Sequence, residues 1–377
     1  MAAEVNYSYS GKSYIKNCHN SAEIFGGDAP VTPDLRDDAY KYIGGLFGWS
    51  SNIDEIRDCS NSGNVNSKVV NLHPEYAPDD HVGGLFGANF SNVYDCNNSG
   101  DIYVERSGSI GGLAGASAAG DIFTRSVNTG DITLVDCCFM SEVGGITGTT
   151  QELLSECTNK GSIKVSESDS YEIPGTICIG GIAGESNSGV DENILNCTNE
   201  GKVEVLTPFT YSVFCGGILG RQASGVVGRS IKGCKNMGDI IGNDAIKGNA
   251  YTAGIVAVTY LTWVDNCVNT ASVTGGIGLT QDSYMEATAA GGIVAMLEQG
   301  KVFNSCENAG IVKYNDDDVT KNLGSAVGYL YNIYDEEDYS SVVCTCTKDT
   351  SGQGLPVIGG GYKEPIEQTQ CSICTSH

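Results

Sequence analysis

The sequence predicts an all-β chain wound as a parallel β-helix, a β-solenoid of about nine coils of three short strands with loops crowded on one edge. Three observations predict it. A Gly-Gly pair or its stand-in recurs at Gly44, Gly83, Gly111, Gly144, Gly180, Gly216, Ala253, Gly291 and Gly324. A second marker, Cys-x-Asn-x-Gly, recurs at Cys59, Cys96, Cys157, Cys197, Cys234 and Cys306, with Ser126 replacing one thiol, Ala271 closing the copy from Cys267, and a weaker copy at Cys18-His19-Asn20. No stretch sustains apolar residues at i, i+3, i+4 and i+7, so helix is a minor component. A short unit repeated this often can bury its apolar face only against its neighbours, and that is the logic of a solenoid.

Each element of the unit has a reason. Counting by twos from the thiol gives Cys96, Asn98, Gly100, Ile102 and Val104, and again Cys157, Asn159, Gly161, Ile163 and Val165. Alternate strand residues share a side. That side is the inside, because thiols, aliphatics and glycine are often fully buried while the intervening residues are mostly polar. A strand through the cysteine, a corner at Asn-x-Gly, a strand through Ile-x-Val and a strand through Gly-Gly-Leu-x-Gly make a three-sided coil. The shortest interval runs from Gly83 to Gly111 and the longest from Gly44 to Gly83. The shortest is too brief for a propeller blade of roughly 40–45 residues, and the leucine-rich repeat frame is absent. Stacked about 4.8 Å apart, the coils predict a rod about 40 Å long before its caps.

The buried asparagine needs partners for its amide. Asn61, Asn98, Asn128, Asn159, Asn199, Asn236, Asn269 and Asn308 are read as a ladder bonding the corner backbone and one another. The glycine two residues on is read as relieving the bend through its wide dihedral range. Cysteines 18, 59, 96, 157, 197, 234, 267 and 306 occupy equivalent positions, with Ser126 in one rung. In-register Cβ vectors run parallel at about 4.8 Å, whereas a disulfide wants them converging near 3.8 Å. A ladder of free thiols is expected. Cys137, Cys138, Cys178 and Cys215 lie off that ladder. So do Cys344, Cys346, Cys371 and Cys374, for which disulfides in a C-terminal cap, a four-thiolate zinc site with a shortened first spacing, and independent thiols all stand open.

These two motifs in order resemble the bacterial surface proteins that carry the GLUG motif, whose units run Gly-Gly-Leu-Val-Gly, a variable stretch, Cys-x-Asn-x-Gly and an aliphatic pair. The likeness spans roughly Gly44 to Val312. Phe47, Phe86, Ala114, Thr147 and Ala183 stand where that family has valine, and Ala253-Gly254 and Gly324-Ser325 break the glycine pair. The resemblance implies a secreted or surface-displayed, adhesin-like β-solenoid, sometimes beside a peptidase domain, with no catalytic residues to carry over. The expected organisation is an N-terminal partial coil or cap over 1–43, repeats over 44–330, and a C-terminal coil with a cysteine-containing cap over 331–377.

Composition narrows the partners. A formal charge of −25 makes this an acidic protein and argues against nucleic acid and anionic membrane. No run of apolar residues is long enough for a membrane span, and no signal peptide is visible at Met1-Ala-Ala-Glu-Val. An extracellular or cell-surface location is expected, with a protein or glycan on a surface as partner. No cofactor or metal site is expected.

Length varies most between the Ile-x-Val strand and the next glycine pair, and those insertions are rich in tyrosine. Tyr76, Tyr103, Tyr171, Tyr211, Tyr251, Tyr284 and Tyr314 are the candidate binding residues. Tyrosine joins an apolar body to a polar tip at low entropy cost, which suits protein and sugar contacts. The competing reading is that the rings pack the loops onto the rod. Catalytic signatures are scarce: the one histidine cluster, His73-Pro-Glu75-Tyr-Ala-Pro-Asp79-Asp80-His81, is interrupted by prolines, and the acidic runs at 316–318 and 335–338 match no calcium loop. The glycine motif lacks the βαβ setting of a dinucleotide fingerprint, and no Gly-x-Ser-x-Gly elbow is present. A noncatalytic adhesin, binding or spacer module is therefore expected. The alternative is a polysaccharide-acting lyase or glycoside hydrolase, because β-helices also carry such enzymes and would need carboxylates converging on one face.

Overall fold

The alternation of small and apolar residues with polar ones winds the chain into stacked coils, each strand pairing parallel with its counterparts in the neighbouring coils. The structure is a computed structural model that describes residues 4–6, 13–26, 41–68, 80–106, 108–117, 122–137, 140–151, 153–167, 175–187, 192–206, 211–223, 229–245, 247–279, 287–298, 301–303, 305–331 and 347–361. It is a parallel β-solenoid, all-β among the described residues. Each full coil carries five short strands where the sequence reading expected three. In one coil these are His81–Gly83, Phe86–Phe90, Val93–Tyr94, Asn97–Asn98 and Ile102–Glu105. They stack into five columns of 9, 11, 9, 10 and 9 strands. We call these the glycine, second, third, amide and aliphatic columns.

Two unrecognised bends account for the extra strands. The chain turns at Gly84-Leu85, which splits the Gly-Gly-Leu-x-Gly segment in two. It turns again before the thiol, where the residue preceding each cysteine, or Ser126, takes left-handed backbone: Asn17, Asp58, Asp95, Arg125, Glu156, Asn196, Gly233, Asn266 and Ser305, with φ from 49° to 67°. That region favours glycine, asparagine and aspartate, which fill most of these positions.

The inward set agrees with the period of two. Cys96, Asn98, Ile102 and Val104 are all buried. The amide ladder runs from Asn20 to Asn308. Each Nδ2 from Asn20 to Asn269 donates to the Oδ1 of the next coil at 2.8–3.0 Å and also to the carbonyl two residues along its own coil. The described cysteines are free thiols, with only Cys18 exposed. Each ladder thiol from Cys59 to Cys306 donates to a carbonyl, as Cys96 does to Tyr94 at 3.2 Å, and Ser126 copies the bond to Thr124 at 3.1 Å. Burial pushes the Cys197, Cys234 and Cys267 thiols well above their ordinary range, so these three rungs are chemically quiet, whereas hydrogen bonding with Cys96 pulls the Cys59 thiol down to about 6. Cys138 and the four C-terminal cysteines lie outside the described residues.

The corner glycine is there for a different reason from the one expected. Gly100 does not take left-handed backbone; a Cβ on it would lie 2.1 Å from the carbonyl oxygen of Gly63 in the coil below, and Gly130 stands over Gly100 in the same way. Close stacking, not dihedral freedom, excludes a side chain.

The glycine pair divides the interior. A Cβ on Gly84 would lie 2.3 Å from the Asn98 side chain, and every coil from Gly45–Asn61 to Gly292–Asn308 repeats that contact. At this pinch the rod is one glycine and one asparagine thick. On one side, Val82, Ile102, Val104 and Ile110 form an apolar cluster between the glycine and aliphatic columns. On the other, Leu85, Phe86, Val93 and Cys96 belong to a separate cluster among the second, third and amide columns. Each fully buried aliphatic of this kind contributes about 1.5–3 kcal/mol. Two apolar arms therefore meet at the pinch, and outward residues of the glycine and second columns face one another across a crease, as Tyr42 meets Trp49 and Ser109 meets Thr149. Gly324-Ser325 departs from the pair in the coil whose amide-column strand, Lys348–Asp349, puts Asp349 in register with Asn308.

Candidate functional site

The crease is the seam between the glycine and second columns, and it follows from the glycine pair itself. Its walls are the outward residues of the glycine column and of the second column. Its floor is the third glycine of Gly-Gly-Leu-x-Gly, where a Cβ on Gly115 would lie 2.5 Å from the Val82 amide nitrogen. Parallel pairing in both walls repeats this arrangement from coil to coil, so the crease runs along the rod.

Its character changes along its length. At the N-terminal end four half-buried rings gather: Tyr42 lies edge-on to Trp49 at 4.7 Å and stacks on His81 at 5.3 Å, and Trp49 stacks on Phe90 at 4.5 Å. Tyr42 and His81 are register partners in the glycine column. Beside them the buried Asp80 accepts the Lys41 backbone N–H at 3.1 Å and lies 3.9 Å from its ammonium.

The middle of the crease is polar. The Ser109 hydroxyl donates to Glu142 at 2.9 Å and lies 3.0 Å from the Thr149 hydroxyl on the facing wall. One coil on, Glu185 is ion-paired with Arg221 at 3.5 Å and accepts from Asn187 at 2.8 Å. Cys178 is buried next to Glu142 in register, and its thiol is pushed well up, by burial first and then by the Glu185 and Glu142 carboxylates. Toward the C-terminal end large apolar residues close the crease, with Tyr251, Val258, Met296 and Tyr329 in one buried cluster.

The sequence-predicted tyrosines are distributed differently from expectation. Tyr76, Tyr171 and Tyr284 lie outside the described residues. Tyr103 is in a strand, not an edge loop; its hydroxyl donates to Glu105 at 3.0 Å and Lys68 sits over its ring. Tyr251 is 1 % exposed and stacks on Phe214, and Tyr314 is 2 % exposed with its hydroxyl donating to the carbonyls of Lys321 and Asn322. Both of these rings are packing residues, because the alternation of their strands turns them against neighbouring columns. Tyr211 is 43 % exposed and lies in the connection ahead of Val213–Gly216.

Of the histidine cluster, His73, Glu75 and Asp79 lie outside the described residues, while His81 joins the aromatic end of the crease. No group of three metal-ligating side chains gathers among the described residues, and Asp316 instead accepts the Asp318 backbone N–H. No helix among the described residues is long and apolar enough to cross a membrane. The residues of the crease escaped the sequence reading because their positions matter only once Gly84-Leu85 is recognised as a bend. A partial signal was present in the aromatic and charged residues two before or four after several of the glycine pairs, as at Tyr42 and Trp49, Glu142, Glu185, and Phe214 and Arg221.

No family model matches the chain, and no curated protein or solved structure matches it either.

Proposed function

We propose that this solenoid is a noncatalytic binding module of the GLUG-motif kind, displayed on a cell surface or secreted, which engages a surface macromolecule through its crease. The observation that carries the reading is the preformed cluster of half-buried aromatics at the N-terminal end of the crease, beyond which the polar groups of its middle are packed between the walls and bonded to one another. Ligand sites are commonly concave and built of apolar walls with a few placed polar groups. The acid-rich composition steers the module away from polyanionic partners. A glycan and protein array probed with the full chain, beside reducing-sugar assays on the same polysaccharides, tests it: binding without turnover is the expected result.

One specific observation favours a second reading, a polysaccharide-acting enzyme. Glu142, Glu185 and Arg221 bring two carboxylates and a guanidinium into the same crease. A carboxylate pair is the machinery of glycoside hydrolysis. Turnover abolished by Glu142→Gln or Glu185→Gln would replace the binding reading with this one.

A further inference from the structure

Resting on the binding reading above, we infer that the N-terminal end of the crease is a subsite for a neutral glycan, with a sugar ring laid on Trp49 and flanked by Tyr42, whose ring stands edge-on to the indole. The four rings come from two coils and two walls, and each wall is held by parallel pairing, Tyr42 to His81 in one and Trp49 to Ala88 in the other. The platform is therefore preorganised, and binding orders little. A pyranose presents an apolar face of C–H groups ringed by hydroxyls. Trp49 and Phe90 offer apolar surface, and Tyr42 and His81 add a phenol and an imidazole beside it.

Size and charge decide the class of ligand. A stable protein interface buries about 800 Å² on each partner. Four aromatic side chains of about 150–250 Å² each, all partly buried already, leave at most about a third of their summed surface open, well below that area. That is the scale of one or two sugar rings. A chain with 46 acidic against 21 basic residues repels polyanions over distances of a Debye length, about 8–10 Å, so uronate and sulfated chains are disfavoured.

The chain has two tryptophans, which makes the test clean. Trp263 lies in the third column, exposed and away from the crease, so the Trp263→Phe variant leaves Trp49 as the only indole emitter. Titration of that variant with neutral β-glucan and mannan hexasaccharides should shift its emission. Trp49→Ala and Tyr42→Ala should each weaken binding at least tenfold by calorimetry, and Trp49→Phe should weaken it less, with melting temperature checked for all three. Polygalacturonate and heparin should leave the emission unmoved. An emission that no neutral hexasaccharide moves overturns the inference. So does glycan binding that Trp49→Ala leaves intact, which would keep the binding module but place its sugar site elsewhere. Capture of a protein ligand alone would also overturn it.

Discussion

Replacing Asn159 by alanine tests the amide ladder where it is most deeply embedded. Asn159 is fully buried, donates to Gly161 O and to Asn199 Oδ1 at 2.9 Å each, and accepts from Asn128 Nδ2 at 2.9 Å. Alanine would strand the Gly161 carbonyl and the Asn199 oxygen and leave Asn128 with one partner fewer. Each buried polar group left without its bond costs about 1–3 kcal/mol, so a loss of about 2–6 kcal/mol is expected for the two stranded oxygens. Asn97→Ala is the control: it is exposed, adjacent in the same column to the ladder residue Asn98, and should change stability by less than about 0.5 kcal/mol. Urea unfolding followed by circular dichroism gives the two numbers. Hydrogen exchange locates the loss, which should centre on the coils of Asn128, Asn159 and Asn199, because repeat arrays couple mainly to nearest neighbours. An Asn159→Ala protein within about 1 kcal/mol of wild type, or indistinguishable from Asn97→Ala, would refute the ladder as a stabilising element.

Three further outcomes follow from the same packing. Gly161→Ala places a Cβ 1.9 Å from the Gly130 carbonyl oxygen, a backbone atom that cannot swing aside, and should cost at least about 3 kcal/mol, while Gly352→Ala, left-handed but in open space, should cost only about 1–2; equal costs in urea unfolding would contradict the stacking argument. Tyr251→Ala should lose about 3–5 kcal/mol and Tyr211→Ala less than about 0.5, and thermal melts that reverse this order would restore Tyr251 as a surface residue. The Arg125 and Arg57 guanidinium groups hold the Asp95 carboxyl below its ordinary value. A depressed carboxylate stabilises the fold above its unfolded pKa, and that contribution fades as pH falls through the folded value. Asp95→Asn should therefore be less stable than wild type at neutral pH, by less than about 1 kcal/mol given its exposure, with the gap closing below about pH 4. A gap that widens in acid would sink this account.

Much of the fold was legible because the repeat writes the interior directly. The thiol, the amide and the aliphatic pair recur two residues apart, and a period of two has one structural meaning. The Asn and Cys ladders follow from it, down to Ser126 filling a thiol rung. The number of strands per coil did not, because Gly84-Leu85 and Asp95 look like strand residues until their backbone is seen. The left-handed position before each cysteine was nonetheless hinted at by Asn17, Asp58, Asp95, Asn196, Gly233 and Asn266. The crease was illegible for a geometric reason. It depends on the angle between two columns, set by Gly84 meeting Asn98, and that contact joins residues from different sides of the coil. Tyr251 and Tyr314 misled because enrichment in tyrosine was read without the phase of the strand that carries it.

Site-resolved alkylation asks whether sulfur from every coil faces one common axis. The native, unreduced protein treated with iodoacetamide should be labelled quickly at Cys18 and remain unlabelled at Cys59, Cys96, Cys157, Cys197, Cys234, Cys267 and Cys306, and all of these should take label once guanidinium unfolds the chain without reductant. Labelling of the ladder cysteines in the native protein as fast as Cys18, or their failure to label after unfolding because they are paired, would contradict the architecture.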